Sequence, residues 1–189
     1  MYYLKERYKT KYHSRRRARV LWIVVHYTGT AASALANARA LEKELKKPRS
    51  THYFVDDAEV LAVVPEARAA WHIGGPDSTK KLDVFNGNAI GVDLCEDKLV
   101  YDKAHRSAED KDWFFSEETE ATAAELIADI MRRHAIPLDH VVRHYDVTGK
   151  LCPRPFVGDD INTAYHESGN ARWRQFLALV QTHLDGGMR

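Results

Sequence analysis

The longest unbroken apolar stretch in the chain is Val20 to Val25, six residues, and it runs directly into a histidine, His26. A helix that crosses a membrane needs about 20 such residues, so the sequence contains no candidate for one. The stretch is rich in β-branched and aromatic side chains, which suit a pleated, packed surface. It predicts a buried strand with His26 carried at its end. Such a strand needs layers of structure on both faces. A chain of 189 residues can supply them in one domain with a sizeable core.

The other segments provide those layers. Residues 33–47 carry Leu35, Ala38, Leu41 and Leu45 at three- and four-residue steps, the spacing of one helical face. Lys46 and Lys47 suit the negative end of that helix, and Pro48 stops it. Strands are predicted near 51–56 and 59–64, joined by the polar turn Asp56–Glu59 into a hairpin. Residues 73–88, rich in Gly, Pro, Asn and Asp, predict a long loop. In the strand predicted at 89–95, Ile90, Val92 and Leu94 share one face, and Gly91, Asp93 and Cys95 the other. Residues 97–115 read as an exposed excursion closing on Trp113, Phe114 and Phe115.

Ser116 predicts the N-cap of a helix, with Glu117 and Glu118 in its first turn and Leu126, Ile127, Ile130 and Met131 along one side. Residues 140–144 predict a short strand ending in His144, and a last helix near 170–184 lines up Trp173, Phe176, Leu177, Val180 and Leu184. Strands alternating with helices predict an α/β fold, a single central mixed β-sheet flanked by helices.

The net charge of +1 conceals an asymmetry. Residues 1–20 hold eight Lys/Arg against one acid, Glu6, whereas the remainder holds 20 basic and 26 acidic residues. The expected organisation is a basic N-terminal arm, residues 1–19, on a single domain over 20–189. Such an arm suits an anionic polymer or membrane surface, or is simply a solvated terminus. No nucleic-acid motif accompanies it, which ranks nucleic acid last among partners. Two cysteines, Cys95 and Cys152, are too few for a disulfide-held mini-protein. The basic start is not followed by the apolar stretch of about 7–15 residues that marks a secretory signal, so synthesis in the cytoplasm is expected.

Of ten histidines, three occupy positions that invite chemistry. His26 and His144 close predicted strands, and His72 follows Trp71 at the mouth of the long loop. Taken singly, each is explained by packing. Eight residues after His144 comes Cys152, with Lys150 two residues before it. Two imidazoles, a thiolate and an open fourth position make a catalytic zinc set, with His26, His144 and Cys152 as the ligands. Spacing neither supports nor excludes this, because sites assembled by a fold join distant segments.

The segments VVHYT (24–28), STHYFVDD (50–57), AWHIGG (70–75), NAIGVDLCED (88–97) and RHYDVTGKLCP (143–153) occur in an order that resembles the zinc-dependent N-acetylmuramoyl-L-alanine amidases. That family includes many phage endolysins and is related to the peptidoglycan recognition proteins. The resemblance covers about residues 20–155. It implies an amidase-like sheet fold and one Zn2+ per chain held by His26, His144 and Cys152. It implies a role for Lys150 near the scissile carbonyl, and it places Trp71 and His72 beside the substrate groove. Two departures stand out. Thr51 occupies a position where some members carry Tyr, and Asp93 stands where others carry Glu.

Asp93 keeps the carboxylate but is one methylene shorter, and it is the candidate general base. A base must come within about 2.6–3.2 Å of its proton, directly or through one water. The implied reaction is hydrolysis of the amide between N-acetylmuramic acid and L-alanine of the stem peptide. Peptidoglycan or muropeptide is the implied partner, and the basic arm is expected to attract anionic wall or membrane surface. The implied setting is action on the cell wall after release from the cytoplasm. The alternative is a non-catalytic muropeptide-binding module of the recognition-protein type. Relatives of that type typically lack the Cys ligand, which Cys152 supplies here.

Overall fold

The computed structural model describes residues 2–44, 46–74, 82–100, 102, 107 and 109–186. Leu45, from the predicted helical stripe, and residues 75–81 of the predicted loop lie outside them. In chain order the strands and α-helices are β1 (Leu4–Glu6), β2 (His13–Arg15), β3 (Trp22–Tyr27), α1 (Ala34–Lys43), β4 (Tyr53–Val55), β5 (Val60–Ala62), β6 (Arg68–Ala70), β7 (Ala89–Leu94), β8 (Asp97–Lys98), β9 (Trp113–Phe114), α2 (Glu117–His134), β10 (Val141–Arg143), α3 (His144–Thr148), β11 (Ile161–Asn162), β12 (Glu167–Ser168) and α4 (Gly169–Gly186).

Six strands form one mixed sheet in the order β1-β5-β4-β7-β3-β10. β4, β7, β3 and β10 run parallel, β5 runs antiparallel to β4, and β1 lies parallel to β5 at the edge. Alternation along the strands sorts side chains between two layers. Ile23 and Val25 of β3, with Ile90, Val92 and Leu94 of β7, face α2 and α4 in the main core. Leu126, Ile127, Ile130 and Met131 of α2 are buried there, each contributing about 1.5–3 kcal/mol by burial. Ser116 caps α2 by accepting from the Thr119 N–H at 3.1 Å. On the opposite face, α1 packs Ala34, Ala38 and Leu41 against Phe54, Leu61 and Cys95. Farther along that face, Val24 packs with Ile73, Val84, Ala89, Val142 and Val147. Between these two small clusters the sheet is open at the carboxyl ends of its parallel strands, where α/β folds present ligand sites.

Four expectations change. Residues 1–19 are not a free arm: β1 extends the sheet, and β2 pairs antiparallel with β6, a strand the sequence did not suggest. α1 ends at Lys43, four residues before Lys47, because Glu44 turns to extended geometry and its carbonyl accepts from Tyr12 Oη at 2.9 Å. The last predicted strand stops at Arg143, and His144 opens a helix instead of closing a strand. The charged stretch after Cys95 is not wholly exposed. It contains the β8–β9 pair, Trp113 and Phe115 are buried, and Lys98 is held between Asp110, 3.1 Å away, and Asp112.

Candidate metal centre and groove

His26 belongs to the same strand face as Val24, so its ring points into the opening between α1 and the Val24 cluster. His144 enters from the first residue after β10, the neighbouring parallel strand. Cys152 arrives by a tight return: Gly149 takes the left-handed conformation, φ +80°, and the Tyr145 N–H donates to the Cys152 carbonyl at 2.8 Å. The three side chains are buried, and one donor atom from each lies within 4.8 Å of the others. Cys152 Sγ is 3.7 Å from His26 Nδ1, and the two imidazole centroids are 4.7 Å apart. The other nitrogen of His26, Nε2, is 2.9 Å from Nδ1 of His72 and fixes the ring. His72 can come so close because residue 91 is glycine. A Cβ there would sit 2.8 Å from the His72 ring and 3.0 Å from the Thr51 hydroxyl.

The donors fit a divalent metal ion. His144 Nδ1 is buried and has no hydrogen-bond partner among the described residues, a costly state for a polar atom. Burial, followed by the neighbouring His144 and His72 rings, pushes the His26 imidazole well below its usual range. Burial and the Lys150 charge push His144 down to about 4. Both rings are therefore neutral at pH 7, the form that ligates metal. Burial pushes the Cys152 thiol up to about 12. A thiolate here needs a cation beside it, and an ion shared by the three donors is such a cation.

These residues sit in a groove of about 760 Å³ that is also lined by Thr51, Trp71, His72, Asp93 and Lys150. All eight residues singled out in the sequence therefore meet in one place. Asp93 lies beside His26 in the β3–β7 register, and its Oδ1 is buried without a partner among the described residues. Burial pushes its carboxyl up to about 7, against the Thr51 hydroxyl and the Arg49 charge, which favour the ionised form. Lys150 is exposed at the groove.

Sequence reasoning missed three contributors. Glu96, almost fully buried, accepts from the Thr28 N–H at 2.8 Å and the Thr30 N–H at 2.7 Å, pinning the loop that follows His26. It was visible only as part of the segment that ends β7. Tyr12 lies against Trp71 with ring centroids 5.9 Å apart. Arg16 drives its guanidinium inward, donating to the carbonyls of Glu66 and Gly87 at 2.7 Å and of Arg68 at 2.8 Å. No sequence signal separates Arg16 from Arg15 and Arg17.

Residues 16–155 match the family described as N-acetylmuramoyl-L-alanine amidase. Over 152 residues the chain is 34% identical to N-acetylmuramoyl-L-alanine amidase CwlL of Bacillus licheniformis, covering 75% of this chain and 38% of that protein. The chain thus spans well under half the length of this curated relative. Among solved structures, the catalytic domain of XlyA, a Bacillus subtilis protein, superposes with a TM-score of 0.66 at 27% identity, covering 94% of this chain and 98% of that one. The fold is also shared with the N-acetylmuramyl-L-alanine amidase AmiD from E. coli, solved in complex with the substrate anhydro-N-acetylmuramic acid-L-Ala-D-gamma-Glu-L-Lys. There the TM-score is 0.54 at 23% identity, covering 87% of this chain and 61% of that one.

Proposed function

This chain belongs to the N-acetylmuramoyl-L-alanine amidase family, and from that premise we propose that it hydrolyses the amide between N-acetylmuramic acid and L-alanine of the peptidoglycan stem, using one zinc ion held by His26, His144 and Cys152. One observation carries the reading. Three buried donors converge within 4.8 Å, and one imidazole nitrogen among them is left unpartnered by the protein. Zinc bound there supplies Lewis acidity toward a carbonyl and lowers the pKa of water.

The remaining chemistry falls to the chain's own groups. Asp93, with a carboxyl near neutral in its affinity for protons, is suited to take a proton from the attacking water and pass it to the leaving amine. Lys150 stands at the groove as the cation for the oxyanion that develops on the scissile carbonyl. His72 holds His26 in one orientation. Trp71 and Thr51 line the walls against which an extended muropeptide would lie. The exposed Lys9, Lys11, Arg15, Arg17 and Arg19 form the part of the basic N-terminal segment still free to attract anionic wall or membrane polymer.

Mass spectrometry of purified peptidoglycan after digestion tests the reaction. The expected products are stem peptides with a free L-alanine N-terminus, formed by the zinc-loaded protein and abolished by a chelator. Intact stems after digestion with fully loaded protein would sink the hydrolase and leave a muropeptide binder. Products cut within the glycan would assign a different bond.

A further inference from the structure

Histidines aside, the acidic and basic residues lining the groove among the described residues are Asp93, Lys150 and Arg49. Lys150 lies on the α3 side, next to the metal-ligating cysteine. Arg49 lies on the opposite wall, in the stretch that links α1 to β4. Its side chain is exposed, and among the described residues it makes no ion pair or side-chain hydrogen bond. Arginines elsewhere are engaged: Arg133 with Glu66, Arg143 with Asp146 and Arg172 with Glu120.

The backbone that carries Arg49 is fixed, although its guanidinium is free. Ser50, the next residue, is buried and donates its hydroxyl to the Tyr12 carbonyl. The same hydroxyl accepts from the Trp71 N–H at 2.8 Å, and the Ser50 N–H donates to the Trp71 carbonyl at 2.9 Å. The N-terminal segment therefore clamps this wall from behind. Thr51, two residues on, faces the groove beside Asp93, and two extended residues span at most about 7 Å. The Arg49 charge reaches the Asp93 carboxyl. Arg49, Thr51 and Asp93 line the same groove, so the exposed guanidinium stands where a peptide laid past Asp93 would meet it.

The chemistry of the substrate class says what anion lies there. The muramic carboxyl is the very carbonyl to be cleaved, and L-alanine has both of its ends in amides. In a stem built as L-Ala-D-gamma-Glu-L-Lys, the form bound by AmiD from E. coli, the first free carboxylate is the α-carboxylate of the γ-linked glutamate. We propose that Arg49 recognises this carboxylate, so that the protein selects stems with a free acid at the second residue over stems whose acid is a carboxamide. The recognition rests on the amidase reading above. A guanidinium matches a carboxylate with two parallel hydrogen bonds, which a carboxamide cannot accept equally.

The test compares N-acetylmuramoyl-L-alanyl-γ-D-glutamyl-L-lysine with its α-carboxamide analogue, using the full zinc-loaded chain. Cleavage is followed by release of the alanine amine, and binding by tryptophan fluorescence. The free acid is expected to be favoured about 10-fold in kcat/KM, carried mainly by KM, the scale of one charge-assisted hydrogen bond at a solvent-exposed rim. In Arg49→Gln the ratio of the two substrates falls to near one. In Arg49→Lys it recovers in part, and in the control Lys47→Gln it stays as in the parent chain. Equal treatment of both substrates by the parent chain, or an undiminished preference in Arg49→Gln, overturns the proposal. A binding preference that persists without any cleavage supports Arg49 and sinks the hydrolase instead.

Discussion

Two groups of buried imidazoles lie side by side in this molecule, with the rings of His52 and His72 edge-on at 5.7 Å. Around His52 the protein meets the ring on every side. Nδ1 accepts from the Gly91 N–H at 3.0 Å, while Nε2 lies 3.1 Å from the Arg68 carbonyl and 2.9 Å from Arg16 Nη2. Burial and the Arg16 charge push that imidazole down to about 3. It is a neutral, fully engaged core group. Around His26, His144 and Cys152 the protein stops short. Burial is comparable, yet the Nδ1 of His144 has no partner among the described residues, and the Cys152 sulfur, beside the Tyr27 backbone, lies 3.7 Å from His26 Nδ1. Burial alone therefore does not distinguish a structural histidine from a ligand. What separates His52 from His144 is whether the surrounding protein completes the ring's hydrogen bonds, because an incomplete buried site costs stability unless something else fills it.

The contrast can be broken most severely on the metal side. Cys152→Ala is expected to remove bound zinc and activity together, with a loss of turnover beyond about 1,000-fold. Full zinc content by elemental analysis together with full turnover would mean the ligand set is wrong. Lys150→Ala is expected to keep its zinc and lose about 100- to 1,000-fold in kcat, the usual consequence of removing one donor to an oxyanion.

Arg16→Ala sharpens the comparison from the other side. It leaves the Glu66, Gly87 and Arg68 carbonyls without a charged donor and is expected to cost about 2–4 kcal/mol, or roughly 10 °C in Tm, with zinc stoichiometry unchanged. A variant that loses zinc while retaining its Tm would show that the two groups are not separable.

The smallest expected effect is an acid one on the Arg16 side. Burial would raise the Glu66 carboxyl, but hydrogen bonds from Arg133, His134 and Tyr53 outweigh it and hold the group at about 2, below its ordinary 4.5. A lowered folded value means that the stabilisation is complete above the ordinary value and is lost as pH falls from about 4.5 to 2. Its size is about 1–2 kcal/mol once solvent screening is allowed for. Glu66→Gln should flatten that part of the pH–stability curve measured by denaturant unfolding. An unchanged curve would assign the acid sensitivity elsewhere.

Much of the fold was legible because it is written in local patterns. The alternation in 89–95 set Ile90, Val92 and Leu94 on one face and Gly91, Asp93 and Cys95 on the other, and the structure turns the first set to the main core and Asp93 to the groove. Ser116 and the acids after it located the start of α2. Boundaries set by tertiary contacts were not legible. α1 ends early because a tyrosine from the N-terminal segment takes the Glu44 carbonyl. β6 appears because β2 is there to pair with it.

By itself, then, the sequence determined the periodicities that build the layers and the donor types able to hold a metal, since both are properties of residues and their immediate neighbours. The folded chain alone decided that His26, His144 and Cys152, scattered over 127 positions, share one point. It also decided that Arg16 is half-buried, its guanidinium turned inward onto carbonyls, while Arg15 and Arg17 beside it are exposed. A guanidinium is worth burying only where carbonyls from several distant segments converge on it, and that convergence exists only after the sheet has closed.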